Sequence, residues 1–275
     1  MTDSNSQIPA DLADRYDIKV VPITVIIDGK EYREGVDLDA DSFWDLWTNR
    51  QPEVMTSQPS PGAFLQVYEE LIGAGFDEIL SVHIGATYSG TLNSARLAAE
   101  RVDVPVRMVD TNTVSFGITC CVWEAAEARL QGCPLEEAAR RAEQIVPTLG
   151  SVTVLQALDV ARAMGRMPNT DTAGEGVPVI AMTNGEVDIV GHGRTVDELA
   201  RTMVDTMTSS GDRVRVALCI ADASARPFYE VMERDLVARP NVAEIVRYRL
   251  GPSVGAFTGP GAAGGFWYPI PEVPD

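Results

Sequence analysis

The sequence predicts a two-domain α/β protein, and three observations predict it. Its 275 residues exceed the roughly 100 to 150 at which domains cluster, so two domains, 1–150 and 151–275, fit better than one. Short apolar, β-branched segments alternate with segments of helical periodicity along most of the chain, the pattern of α/β proteins with largely parallel sheets. Hydrophobic residues make up 45% and charged residues 23%, which supplies a sizeable core and leaves no room for a largely disordered chain.

Each element has its own local reason. Residues 18–27 (IKVVPITVII) read as strand, and the Asp28-Gly29 pair turns them tightly into 30–33 as a hairpin. Ser60 before Pro61 gives an N-cap and a first helical position. Phe64, Val67, Tyr68, Leu71 and Ile72 then share one helical face, and Gly73 and Gly75 end that helix. Residues 79–84 (ILSVHI) form a short buried strand, loop 85–89 follows, and a helix runs through Leu92, Ala95, Ala98, Ala99 and Val102, which makes a βα unit. A strand over 104–109 and helices over 116–130 and 135–146, parted by Gly132 and Pro134, close the first half near Leu149 and Gly150. The second half repeats the mixture, with strands over 152–155, 177–182, 214–220 and 243–248 and helices over 158–164, 196–207 and 226–238. The Gly-, Pro- and Ala-rich stretch 251–265 is expected to be irregular, and no fixed-period repeat occurs.

Charge narrows the function classes. Lys and Arg number 22 against 40 Asp and Glu, a net charge of -18, so the field of the whole molecule repels phosphate backbones and anionic lipid heads. Nucleic-acid binding and stable membrane insertion are therefore not expected. The start MTDSNSQIP has neither a basic nor an apolar stretch, which predicts a cytoplasmic protein. Cys120, Cys121, Cys133 and Cys219 form no CxxC and have no His at ligand spacing, so they read as buried free thiols. The acidic run 37–45 (DLDADSFWD) is a solvated helix start without the glycine-centred calcium loop, and no metal is expected.

Three places are rich in chemistry. TSQPS at 56–60 puts three hydroxyls and an amide before a helix, as either an N-capping loop or a ligand loop. GATYSGT at 85–91 leaves the carboxyl end of a strand and enters a helix, where ligands of α/β sheets gather and free N–H groups favour an anion. Phosphate loops usually carry lysine, and this loop has neither Lys nor Arg, so a carboxylate suits Ser89 and Thr91 better. Ser89 as a hydrolase nucleophile is the alternative, but the motif is not GxSxG, and His83 is expected to be a core or interface residue bonded to backbone. His192 reads as an exposed loop residue. The third place is the pair Arg166 and Arg194, each preceded by glycine, either solvated or meeting a phosphate or an acidic partner. GPGAAG at 259–264 matches GxGxxG, but too few residues follow to complete a dinucleotide site.

Taken in order, these motifs resemble the DegV family, fatty-acid-binding proteins that serve as lipid-carrying subunits of bacterial fatty acid kinase. The resemblance spans nearly the whole chain. It rests on TDS at 2–4, VVPI at 20–23, DG at 28–29, TSQPS at 56–60, SGT at 89–91, GR at 165–166, RT at 194–195 and GPSVGAFTGPGA at 251–262. It implies a two-domain EDD-type fold, with a largely parallel sheet in the first domain and a mixed α/β second domain. A long-chain fatty acid is implied between the domains, its tail buried in the second. The resemblance places the carboxylate on Thr56 and Ser89, with Ser57, Gly90, Thr91 and Phe257 in the supporting loops. It places Arg166 and Arg194 where a kinase subunit meets the carrier, and it implies no cofactor and no catalysis by the carrier itself. Two departures stand out: Phe257 takes the place of a histidine, and only Met1 precedes TDS, which implies either a first sheet short of a strand or a truncated start. A serine hydrolase or phosphotransferase-type enzyme using Ser89, or a fatty-acid sensor without a kinase, are the alternatives.

Overall fold

The computed structural model describes residues 1–50, 52–155, 176–211 and 213–271. The chain divides into two compact units, one comprising Met1–Asp39 and Pro52–Val146, the other Ala40–Gln51 and Pro147–Asp275. The helix predicted over 158–164 lies outside the described residues.

In the first unit, β1 (Thr2–Asp3) pairs in parallel with β2 (Val20–Val21). The Met1 carbonyl accepts from Val82 N–H at 3.0 Å. Strand β1 thus lies within the TDS motif itself. Between them come a 3-10 turn at Ser4–Ser6 and helix α1 (Ala10–Arg15). Strand β3 (Thr24–Ile27) makes the predicted hairpin with β4 (Lys30–Arg33), and its other edge pairs with β5 (Val54–Ser57), all antiparallel. Asp28 and Gly29 both have positive φ, 49° and 80°, the type I′ turn whose twist matches that of paired strands. Helix α3 (Pro61–Gly73) starts as its sequence dictates: Ser60 Oγ accepts from Ala63 N–H at 3.2 Å, with Pro61 at the first position.

Strand β6 (Ile79–His83) leads to α4 (Thr91–Ala99) and pairs in parallel with β7 (Val106–Asp110). Helices α5 (Phe116–Leu130) and α6 (Leu135–Ile145) complete the unit. The core joins Phe64, Tyr68 and Leu71 of α3 to Val21, Ile79, Ala95 and Ala98. The residues read as the inward face of α3 thus meet the sheet they were patterned for.

The second unit is built on one mixed sheet in the order β10-β9-β8-β13-β11-β12. Its strands are β8 (Gly150–Val154), β9 (Val177–Thr183), β10 (Glu186–Gly193), β11 (Val214–Ile220), β12 (Val242–Arg249) and β13 (Ala263–Pro269). Only β11 and β12 run parallel. Helices α7 (Val196–Met207) and α8 (Arg226–Val237) supply Leu199, Met203, Val204, Met207, Met232 and Leu236 to its core. Helix α2 (Ala40–Arg50) belongs to this unit despite its place in the chain. Its Trp44 donates Nε1–H to Leu250 O at 2.7 Å, and Asp41 pairs with Arg249 at 2.8 Å.

Two readings of the second unit are corrected. The stretch 251–265 is not irregular: it forms helix α9 (Pro252–Thr258) and the start of β13, which lies between β8 and β11. Its small residues answer close approach. A Cβ on Gly265 would collide with the Ala217 carbonyl, one on Gly264 would lie 2.8 Å from Thr153 Cα, and one on Gly255 would lie 2.6 Å from Phe43 Cε1. His192 is likewise not in a loop, since it sits half-buried in β10 opposite Pro178.

Candidate functional site

The first unit gathers its chemistry where strands end. Thr56 pairs with Val25 in the β5–β3 ladder and is half-buried; Ser57 pairs with Thr24 and is exposed. The chain then turns through Gln58 and Pro59 to the α3 cap. After β6, Gly85 lets two loops meet, because a Cβ there would lie 2.9 Å from Asn112 Cα and 3.0 Å from Thr113 N. Gly85 O then accepts from Tyr88 N–H at 2.9 Å and from Ser89 N–H at 3.2 Å, a tight turn that delivers Ser89 to the start of α4.

At that start, Gly90 is the N-cap and has no side chain to cap the first turn. Ser89 Oγ accepts from Thr91 N–H at 3.3 Å and lies 2.9 Å from Thr91 Oγ1. Ser89 and Gly90 are half-buried, and Thr91 is buried. The two predicted loops meet where the Gln58 carboxamide rests on Gly90, and a Cβ there would lie 2.7 Å from Gln58 Nε2 and 2.8 Å from its Cδ. The arrangement offers hydroxyls, an amide and uncapped N–H groups, all neutral donors near a positive dipole end, which suits a carboxylate. A nucleophile would need a base, and among the described residues the Ser89 hydroxyl is hydrogen-bonded to Thr91 and to no base.

His83 is committed elsewhere. Its ring does not bond backbone as expected. Nδ1 faces Asp3 Oδ2 at 2.9 Å and Nε2 faces Ser81 Oγ at 2.6 Å. Tyr68 extends the chain, its hydroxyl 3.0 Å from Ser81 Oγ. Asp3, Ser81, His83 and Tyr68 are all fully buried. With Nδ1–H donated to Asp3, Nε2 accepts from Ser81, and Ser81 Oγ accepts from Tyr68. Burial pushes the Tyr68 phenol up to about 12, so it remains a donor. Asp3 also accepts from Ile84 N–H at 3.1 Å and Asn5 N–H at 3.0 Å. Ser4 binds Glu34 and Ile23 N–H in turn. Asp3 of the TDS motif is thus the knot that ties β1 to the end of β6, a role that local spacing did not report.

Phe257 and Arg194 belong to the second unit. Phe257 is half-buried in α9 of the second unit. Arg194 is exposed ahead of α7, and its N–H donates to Glu198 Oε2 at 2.8 Å; Thr195 and Glu198 form a capping box. Arg166 lies outside the described residues. Asp222, which sequence reasoning passed over, holds the TGPGA loop: its Oδ2 accepts from Gly261 N–H at 3.0 Å and its Oδ1 from Ser224 N–H at 2.7 Å. Cys120, Cys121 and Cys219 are buried free thiols, whereas Cys133 is half-buried. Burial pushes Cys219 up to about 11. Among the described residues no cluster of His, Cys, Asp and Glu fits a metal ion, and no helix is long and apolar enough to cross a membrane.

Comparison with known proteins finds relatives along the whole chain. The family model described as "Uncharacterised protein, DegV family" matches residues 1–270. A DegV domain-containing protein of Caldanaerobacter subterraneus subsp. tengcongensis is 29% identical over 273 residues, covering 97% of each chain. One of Streptomyces coelicolor is 28% identical over 269 residues, 96% of this chain and 95% of that one. Among solved structures, a DegV family protein from Thermus thermophilus described for its fatty acid binding superposes with a TM-score of 0.86 at 27% identity, covering 97% of both chains. DegV from Bacillus subtilis, described as a fatty acid binding protein, gives 0.83 at 25% identity, again over 97% of both. The match runs through both compact units rather than one of them, and on that extent this chain belongs to the DegV family.

Proposed function

We propose that this protein is a fatty-acid carrier of the cytoplasm. It binds a long-chain fatty acid by its carboxylate at Thr56 and Ser89 and presents that group to a separate kinase subunit for acyl-phosphate formation. The observation that carries the reading is the pair of cation-free loops, TSQPS and GATYSGT, meeting at Gly90, the N-cap of α4 that has no side chain of its own. The likeness to the Thermus and Bacillus proteins, both described as binding fatty acids, supports the same ligand. Ser57, Thr91 and Phe257 are assigned to the supporting loops, and Arg166 and Arg194 to the face that meets the kinase.

Energetics divide the labour. An acyl chain removed from water contributes about 0.8 kcal/mol per methylene, on the order of 10 kcal/mol for a long chain, so the tail supplies most of the affinity. A carboxylate taken from water without donors costs several kcal/mol, so the head-group residues offset that cost and set selectivity. The test is native mass spectrometry of the purified protein, with extraction and identification of any bound acid. A stoichiometric adduct of fatty-acid mass is expected. The double substitution Thr56→Ala, Ser89→Ala should weaken binding of the added acid by about tenfold or more. A protein that carries no acid and takes none up refutes the reading.

A further inference from the structure

We propose that Gln58 is the residue that makes the head-group site selective for an ionised carboxylate, by donating an Nε2–H to it from a seat on Gly90. The inference rests on the carboxylate-binding reading above. Three observations carry it. Gly90 has φ -75° and ψ 5°, a conformation open to every L-residue, so its lack of a side chain is not a matter of backbone freedom. What it provides is space: the position a Cβ would fill is taken by the Gln58 carboxamide. The carboxamide therefore lies against the residue between Ser89 and Thr91, whose hydroxyls are 2.9 Å apart.

The seat leaves the amide available. Gln58 is exposed, and among the described residues no hydrogen bond engages its carboxamide. Its chemistry fits the gap in the donor set. Neither loop holds a Lys or Arg, and an ionised carboxylate has about four lone-pair sites to satisfy. Ser89 Oγ already accepts from Thr91 N–H. The two N–H groups of the Gln58 amide are donors whose only task there is the ligand. They discriminate by charge, because a hydrogen bond to an ionised group is roughly twice as strong as one to a neutral group. A clasp that only held the two loops together would act on every ligand alike.

The test measures dissociation constants for a long-chain fatty acid and for the fatty alcohol of equal length. The proteins are the unaltered chain, Gln58→Ala, Gln58→Glu, Gly90→Ala and the double variant Gln58→Ala, Gly90→Ala. Gln58→Ala is expected to weaken the acid about tenfold and the alcohol less than about twofold. Gln58→Glu should weaken the acid further, by like-charge repulsion, with the alcohol unmoved. Gly90→Ala evicts the carboxamide, so it should match Gln58→Ala and add nothing to it in the double variant. Thermal unfolding of each variant checks that it is folded. Equal losses for acid and alcohol, or additive effects of the two substitutions, overturn the proposal. If Thr56→Ala weakens the acid while the Gln58 variants do not, this inference alone fails. If the unaltered protein binds no acid, the underlying reading fails with it.

Discussion

Asp3 shows how much one side chain can organise. Its carboxylate serves the His83 ring and the N–H groups of Asn5 and Ile84, all buried residues. Removing an acceptor that several buried donors share leaves each with a desolvation cost and no partner. Asp3→Ala is therefore expected to lower stability by about 3 to 5 kcal/mol, read from urea unfolding. A loss below about 1 kcal/mol would mean that the network does not hold β1 to β6. The same network shows why a histidine two residues before the GATYSGT turn is not directed at Ser89: both its ring nitrogens are engaged by Asp3 and Ser81. Residue types marked His83 as interior, but the identity of its partners came from Asp3, 80 positions away, which no local pattern reports.

At the scale of elements, what depends on neighbours in sequence was legible. The Asp28-Gly29 hairpin, the Ser60-Pro61 start of α3 and the bounds of α5, α7 and β11 follow from turn chemistry, caps and periodicity. Strand β10 was missed although it carries the same signal: Asn184 and Gly185 have φ of 53° and 78° and turn β9 into it. Strand β13 was misread for a different reason. Glycines mark turns when judged locally, whereas here they let an inner strand press against β8 and β11. That origin is testable. Gly265→Ala drives a methyl into the Ala217 carbonyl and the Met207 side chain, so the variant should lose several kcal/mol of stability or fail to accumulate as folded protein. Unchanged denaturation would show that the strand has room to shift.

For the whole molecule, charge is the dominant parameter. A net charge of -18 repels itself, and the exposed ion pairs that oppose it are each worth about 0 to 1 kcal/mol and are screened as well. Self-repulsion wins that comparison. Raising ionic strength from roughly 0.01 M to 0.15 M shortens the Debye length from about 30 Å to about 8 Å. The thermal midpoint should therefore rise with added sodium chloride, as differential scanning calorimetry would read; a fall would mean that specific ion pairs outweigh the net charge.

The sequence by itself determined the α/β class, most helices, the hairpin turn and the two hydroxyl-bearing loops. These are set by composition and by spacings of a few residues, which local sterics and periodicity convert directly into structure. Only the tertiary structure decided that His83 belongs to Asp3 and Ser81, that the glycine-rich stretch enters the middle of a sheet, that α2 packs with the second unit, and that Gln58 meets Gly90. Each of those is a contact between groups far apart in the chain. Its free energy exists only once the core has paired the elements that carry them.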